Sequence, residues 1–337
     1  MTPAELEAFI KELGEPAFRA RQIFSWVQNG CTDFSEMTNL SKTLREKLRD
    51  TCYIAVAEIE KRLSSNLDET VKYLYRLHDG ELIESVLMKY HHGYTVCAST
   101  QVGCRMGCKF CASGLFGLRR NLTASEILAQ ITAAQKGNGI RVSNVVLTGM
   151  GEPLDNFDNT VRFLELVSNE NGLNIGLRHI SVSTSGLVPR ILELSTLHFP
   201  VTLSVSLHNP FSDERSKIMP VNNKYDVSEL LAACREYIKN TGRRISFEYA
   251  LIDHVNDSMR HADELARLLK GMLCHVNLIP ANPVVENDFK RSDVGRVSRF
   301  QERLLKHGIN TTVRRTLGAD INASCGQLRR EQKNSIV

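Results

Sequence analysis

At 337 residues the chain exceeds the usual single-domain size, and its 42% apolar share is ordinary for a globular protein with a sizeable core. No stretch approaches the roughly 18–20 apolar residues of a membrane span, and the start Met-Thr-Pro-Ala-Glu-Leu-Glu lacks the basic and apolar parts of a signal peptide. Nine cysteines without secreted-type spacing suit a reducing compartment, so a cytoplasmic protein is expected; the net charge of +4 alone does not point to nucleic acid.

Residues 1–60 read as short charged helices, among them the run Pro16 to Phe24. Val71–Leu77 and Leu82–Met88 read as a hairpin turning at Asp79-Gly80. On its second strand Leu82, Glu84, Val86 and Met88 share a face by the two-residue period. Ile83 and Leu87 make the opposite face apolar as well, so Glu84 is ordinarily an edge or salt-bridged residue. From about residue 93 short apolar runs alternate with amphipathic stretches. Strands are expected at Thr95–Thr100, Ser143–Leu147, His179–Ser183, Val201–Ser206, Ile245–Leu251 and His275–Ile279. Helices are expected near 123–136, 157–169, 187–196, 227–240, 258–270 and 293–307.

This alternation predicts an α/β fold of parallel βαβ units, a partial barrel of six rather than eight. It divides the chain into an N-terminal accessory helical domain (1–65), a linking β-hairpin (66–92), a core (93–320) and a C-terminal segment (321–337) that is polar and frayed after Leu328. Each strand runs into a polar or glycine-rich segment. In chain order these are the loop from Cys104, Thr148-Gly-Met-Gly-Glu-Pro153, Ser183-Thr-Ser-Gly186, Ser206-Leu-His208, Asp253-His254 and Pro280-Ala-Asn-Pro283. Such folds place their sites at this rim, the carboxyl ends of parallel strands.

Cys104, Cys108 and Cys111 form a C-x3-C-x2-C triplet. Cubane iron–sulfur clusters normally take four thiolates, so three leave one iron open to a small molecule. Structural zinc usually needs paired C-x2-C knuckles, and no second pair is present.

Gly149, Gly151 and Glu152 make a turn in which backbone could approach a ligand and a carboxylate could accept from an ammonium group, or simply a tight βα turn. Ser183, Ser206, His208 and Asn282 are ordinary capping or turn residues whose shared rim position alone suggests cofactor contact. Cys97 reads as a small buried strand residue, and Cys325 lies in a glycine-containing segment near the C-terminus; either could be catalytic. Cys31, Cys52, Cys234 and Cys274 read as structural. The pairs Arg119-Arg120, Arg243-Arg244, Arg314-Arg315 and Arg329-Arg330 are ordinarily solvated surface, with nucleic-acid contact as the alternative.

The triplet, with Phe110 before its last cysteine, resembles the signature of radical S-adenosylmethionine (SAM) enzymes. Within these the chain resembles the RlmN/Cfr family of RNA adenine methyltransferases. The matching stretches are Cys97 to Cys104, Asn121-Leu-Thr, Gly149 to Leu154, Ser183 to Gly186, Ser206 to His208, His254 to Asp257, Asn277 to Pro280 and Asp320 to Leu328. The resemblance covers nearly the whole chain and is weakest before residue 65.

It implies a 4Fe–4S cluster on Cys104, Cys108 and Cys111, and SAM held by Gly151, Glu152, Ser183, Ser206, Leu207, His208 and Asn282. It implies methylation of adenine C2 in 23S ribosomal RNA and in tRNA beside the anticodon, with two SAM consumed per methyl. That ring carbon is electron-poor and cannot attack SAM directly, so the methyl is first loaded on a soft thiolate. By resemblance Cys325 carries it, a methylene radical on Cys325 adds to C2, Glu84 accepts the proton, and Cys97 releases the product by forming a disulfide with Cys325. An electron donor such as a flavodoxin system, no membrane partner and a monomeric enzyme are expected. Alternatives are C8 methylation of the same ribosomal adenosine, against which Pro153 and Ala281 speak, a radical SAM enzyme with a non-RNA substrate, and a metal-binding RNA adaptor.

Overall fold

The computed structural model describes residues 1–282, 288–324 and 326–328; Cys325 and the tail after Leu328 lie outside the described residues. Three helices come first: α1 (Pro3–Glu12), α2 (Phe18–Gln28) and α3 (Lys42–Thr51). A capping box starts α1, the Thr2 hydroxyl accepting from the Glu5 N–H while the Glu5 carboxylate accepts from the Thr2 N–H. Their buried residues recur at helical spacing: Leu6 and Ile10, Ala20 and Phe24, Leu44 and Leu48.

Four antiparallel strands come next, paired in chain order: β1 (Glu58–Ser64), β2 (Val71–Arg76), β3 (Leu82–Tyr90) and β4 (Gly93–Cys97). The expected hairpin is present as β2 and β3. Its turn is closed by the Leu77 N–H donating to the Glu81 carbonyl, with Gly80 at φ 77°. β1 departs from the helical reading of 1–65. Nearly all of its residues are exposed, so no apolar period marks it, yet it adds to the edge of the sheet.

A separate two-stranded ribbon, β5 (Gln101–Gly103) and β6 (Leu118–Asn121), precedes α4 (Ala124–Asn138). The chain then alternates through β7 (Val142–Leu147), α5 (Phe157–Ser168), β8 (Ile180–Thr184), α6 (Val188–Thr196) and β9 (Thr202–Ser206). Two helices, α7 (Ser212–Ile218) and α8 (Val227–Thr241), lead to β10 (Ile245–Leu251). After it come α9 (Met259–Leu269), β11 (Cys274–Pro280), α10 (Val294–Lys306) and β12 (Thr311–Val313). Capping boxes at Thr123 and Asp226 start α4 and α8, and left-handed Gly139 and Gly242 end them.

The main sheet has ten strands in the order β1-β2-β3-β4-β7-β8-β9-β10-β11-β12, parallel from β4 onward. The six expected parallel strands are all present, and β12 adds a seventh. Because the strands from β4 onward run parallel, all their carboxyl ends fall on one rim. Phe247, Tyr249, Val205, Leu203, Val276 and Leu278 are fully buried, as a parallel sheet under helices requires.

Candidate functional site

The cysteine triplet sits in the loop closed by the ribbon β5–β6, whose end residues Gly103 and Leu118 pair with each other. Gly103 has φ 80°, and a Cβ there would lie 1.9 Å from the Gly117 carbonyl oxygen, so only glycine permits this closure. The Cys104 N–H donates to the Gly117 carbonyl and the Cys111 N–H to that of Cys108. Arg105 forks onto Asp155 at 2.9 and 2.5 Å, tying the loop to the turn after β7.

Burial pushes the Cys104 thiol up to about 12, and burial together with Cys111 and Cys104 raises the Cys108 thiol still further. Thiols raised in this way become thiolates when a cationic centre binds them. Among the described residues no three His, Cys, Asp or Glu side chains converge on a point one ion could fill. A cubane places each thiolate on a different iron, so its donors need not converge.

An open cavity of about 780 Å³ lies beside this loop, lined by Cys111, Ser183, Ser206, His208, Glu248 and Asn282 among others. Four expected SAM contacts therefore face one space. Glu152, Gly151 and Leu207 are not on its wall. Glu152 is buried, its carboxylate accepting the N–H groups of Leu154 at 3.0 Å and Ser185 at 2.6 Å. Burial raises its pKa, and among the described residues no cationic side chain is within 4.0 Å of it. Gly151, at φ 103°, lets the turn press on Gln101, where a Cβ would come within 2.6 Å. Leu207 is fully buried with its side chain in the apolar core, and its carbonyl accepts from the Arg215 guanidinium.

His208 is buried with Nδ1 accepting the Ala250 N–H at 2.9 Å, so Nε2 carries the ring proton. Burial lowers its pKa to about 3, and the edge of its ring meets Phe110 at 4.8 Å. Glu248 was missed by sequence reasoning. Ser246, Glu248 and Ala250 share the cavity face of β10 opposite Phe247 and Tyr249, and that alternation is readable in the sequence.

A second cavity joins Cys97, Cys111, Thr148 and Gly149 to Ser324 and Gly326, the residues on either side of Cys325. The Cys97 thiol is 3.2 Å from the Thr148 hydroxyl. Val86 and Met88 line this cavity, as do Tyr90, Arg314 and Arg315. Glu84, on the same face of β3, opens into a neighbouring hollow with Lys61, Lys72 and Asn322. It is ion-paired with Lys72 at 2.5 Å, and Lys72 also donates to the Asn322 carbonyl at 3.2 Å.

Arg215 on α7 was also missed. It is fully buried, and its guanidinium donates to the carbonyls of Ser185, Ser206 and Leu207 at 2.8–2.9 Å and to Asn222 Oδ1 at 3.0 Å. No sequence period distinguishes it from the other charges of Ser-Asp-Glu-Arg-Ser-Lys-Ile.

Residues 98–268 match the radical SAM superfamily, and residues 1–54 match the ribosomal RNA large subunit methyltransferase N-terminal domain. A probable dual-specificity RNA methyltransferase RlmN of Alkaliphilus oremlandii is 56% identical, with 98% of this chain and 96% of that protein aligned. The corresponding protein of Clostridioides difficile is 52% identical over 98% of this chain and 97% of its own. The chain belongs to the RlmN family of radical SAM methyltransferases. The crystal structure of a radical SAM methyltransferase from Sphaerobacter thermophilus, 49% identical, superposes with a TM-score of 0.94 over 97% of both chains. The fold expectation, a radical SAM α/β core with a small helical N-terminal region, is thus met. The superfamily works with a 4Fe–4S cluster and SAM, and the donor set fits both. Burial that raises the Cys104 and Cys108 thiols suits ligands that become thiolates on a cluster's iron, and the buried Glu152 carboxylate, with no cationic side chain within 4.0 Å among the described residues, suits the SAM ammonium. Among the described residues no helix is long and apolar enough to cross a membrane.

Proposed function

We propose that this RlmN-family protein methylates C2 of an adenosine in RNA, both in 23S ribosomal RNA and in tRNA beside the anticodon. The observation that carries the reading is the single cavity shared by Cys97, Cys111 and the two neighbours of Cys325. It brings the triplet loop, Cys97 and the residues that flank Cys325 in the sequence to one space.

Cys104, Cys108 and Cys111 would hold the cluster, and Glu152 with Ser183, Ser206, Leu207, His208 and Asn282 would seat SAM. When bound, these groups supply a methyl cation equivalent and a one-electron cleavage that yields a carbon radical. The chain's own residues do the rest. Cys325 carries the methyl group as a thioether, because a thiolate is the strongest nucleophile available in a protein at neutral pH. Glu84, oriented by Lys72, takes the proton from C2. The Cys325 methylene carbon bonds to C2 before that proton leaves, and the one surplus electron would return to the bound cluster. Cys97 then attacks the Cys325 sulfur, so that an S–S bond forms as the S–CH2 bond breaks and the freed carbon takes a proton to become the methyl group of the base, with Thr148 beside the attacking thiol. Arg314 and Arg315 at the cavity wall favour an anionic substrate, and the adenosine must leave its stack to enter.

The test is to express the protein in a strain lacking its own enzyme and map the methyl group on ribosomal RNA and tRNA. Methylation at C2 is expected; methylation only at C8, or SAM turnover indifferent to RNA, would overturn the reading. Replacing Cys97 with alanine should leave RNA covalently attached to the purified protein, and recovery of free protein with normal turnover would remove Cys97 from the scheme.

A further inference from the structure

We propose that Arg215 is the positioning residue of this site, a buried cation that sets the SAM seat and the cluster loop in register and lowers the negative charge felt by the cluster. The inference rests on the proposed function, since it assigns a role toward the cofactors named there.

The geometry begins with the donors of one guanidinium. Nε reaches the Leu207 carbonyl at 2.9 Å, and Nη2 reaches the carbonyls of Ser206 at 2.9 Å and Ser185 at 2.8 Å. Nη1 takes Asn222 Oδ1 at 3.0 Å. Ser206 and Leu207 end β9 at the cavity rim, and Ser185 comes just after β8 and donates its N–H to Glu152. One side chain therefore fixes two rim turns and, through Ser185, the carboxylate expected to meet the SAM ammonium.

The same short helix reaches the cluster loop. The carbonyl of Ile218, its last residue, accepts the N–H of Lys109 at 2.9 Å. Beyond it Ile218, Met219 and Val221 form a small apolar cluster against which Cys108 and Phe110 pack. Among the described residues Arg215 has no carboxylate within 4.0 Å. A buried guanidinium with only neutral acceptors is expensive, and an apolar side chain of that size would serve packing alone as well. A thiolate-bound cluster is the counter-charge that makes it reasonable.

The experiment compares wild-type, Arg215→Met and Arg215→Lys full-length proteins after anaerobic cluster reconstitution. Iron and sulfide content, the cluster midpoint potential by an EPR-monitored titration, and SAM affinity by calorimetry are measured for each. Arg215→Met should keep its iron, shift the potential negative and bind SAM at least about tenfold more weakly, the loss of more than one charge-assisted hydrogen bond. Arg215→Lys should recover the potential but not the affinity, because an ammonium cannot span three carbonyls as a planar fork does. An Arg215→Met protein with full iron, wild-type potential and wild-type SAM affinity overturns the proposal. If Arg215→Met does not fold, Arg215→Lys decides: wild-type affinity in that variant overturns the positioning role. A wild-type protein that takes up no cluster counts instead against the proposed function.

Discussion

The backbone N–H of Ala112 donates to the carbonyl of Gly326 across 2.8 Å, so the residue after the third triplet cysteine is bonded to the residue after Cys325. The Ser113 hydroxyl adds a second tie, to the Leu328 carbonyl at 2.7 Å. Each such bond contributes about 1 kcal/mol net. Ser113→Ala should therefore slow methyl transfer to RNA by about fivefold while leaving iron content and SAM cleavage unchanged. Parallel assays of transfer and of deoxyadenosine release check this, and equal losses in both would contradict it.

The contact between the Cys97 thiol and the Thr148 hydroxyl predicts an effect that needs no cluster. A hydroxyl donating to a thiolate favours its formation. In the apoprotein, Thr148→Val should slow alkylation of Cys97 by iodoacetamide at neutral pH about fivefold, and Thr148→Ser should restore it. Peptide mass mapping tracks Cys97 alone. A rate unmoved by valine would dismiss the contact as incidental.

Lys72 and Glu84 form a pair in which both side chains are nearly inaccessible, at 9% and 3% exposure. Removing one partner deprives the other buried charge of this counter-ion. Lys72→Met should cost about 3–5 kcal/mol of stability in chemical denaturation, whereas the paired change Lys72→Met with Glu84→Leu should recover most of it. Additive losses would mean that the two side chains do not depend on each other.

His208 gives a sign for acid sensitivity. Its folded pKa, lowered by burial to about 3, lies below the ordinary 6.5, so the unfolded chain binds the extra proton first as the pH falls. Its contribution to stability is present above pH 6.5 and is lost progressively as the pH drops from there toward about 3. Nitrogen NMR of the labelled apoprotein should show the ring neutral, with the proton on Nε2, across roughly pH 5–8. An imidazolium signal in that range would refute the assignment.

Glu152 sends SAM binding the same way. Its carboxyl is raised by burial, and only the ionised form attracts an ammonium, so affinity should weaken as the pH falls toward its raised value. Calorimetry from about pH 8 to about pH 5 reads this; for Glu152→Gln the affinity should be weaker and its pH slope smaller.

The parallel half of the fold was legible because its strands are apolar runs and its helices carry one apolar face; β10 falls at the expected Ile245–Leu251. β1 escaped because both of its faces meet solvent, and β12 because three residues hold no period. At the candidate site, the rim rule anticipates that Ser183, Ser206, His208 and Asn282 line one cavity, since the end of a parallel strand dictates where its next residues stand. Partners were less readable. Lys72 lies across from Val86, not from Glu84, so their pairing depends on a diagonal reach between strands. Arg215 was hidden because burial of one charge on a short polar helix is a tertiary fact with no local signature.

The pairing of Gly103 with Leu118 brings the two ends of the cluster loop side by side on a ribbon of their own, outside the main sheet. Inserted residues in such an excursion cost only the slowly growing entropy of a longer ring, about 0.6 kcal/mol per doubling. The loop that carries Cys104, Cys108 and Cys111 is thus hinged on its own ribbon, so a change in its length would be taken up there and at its ties to Asp155, Ile218 and Gly326 before any strand of the main sheet had to move.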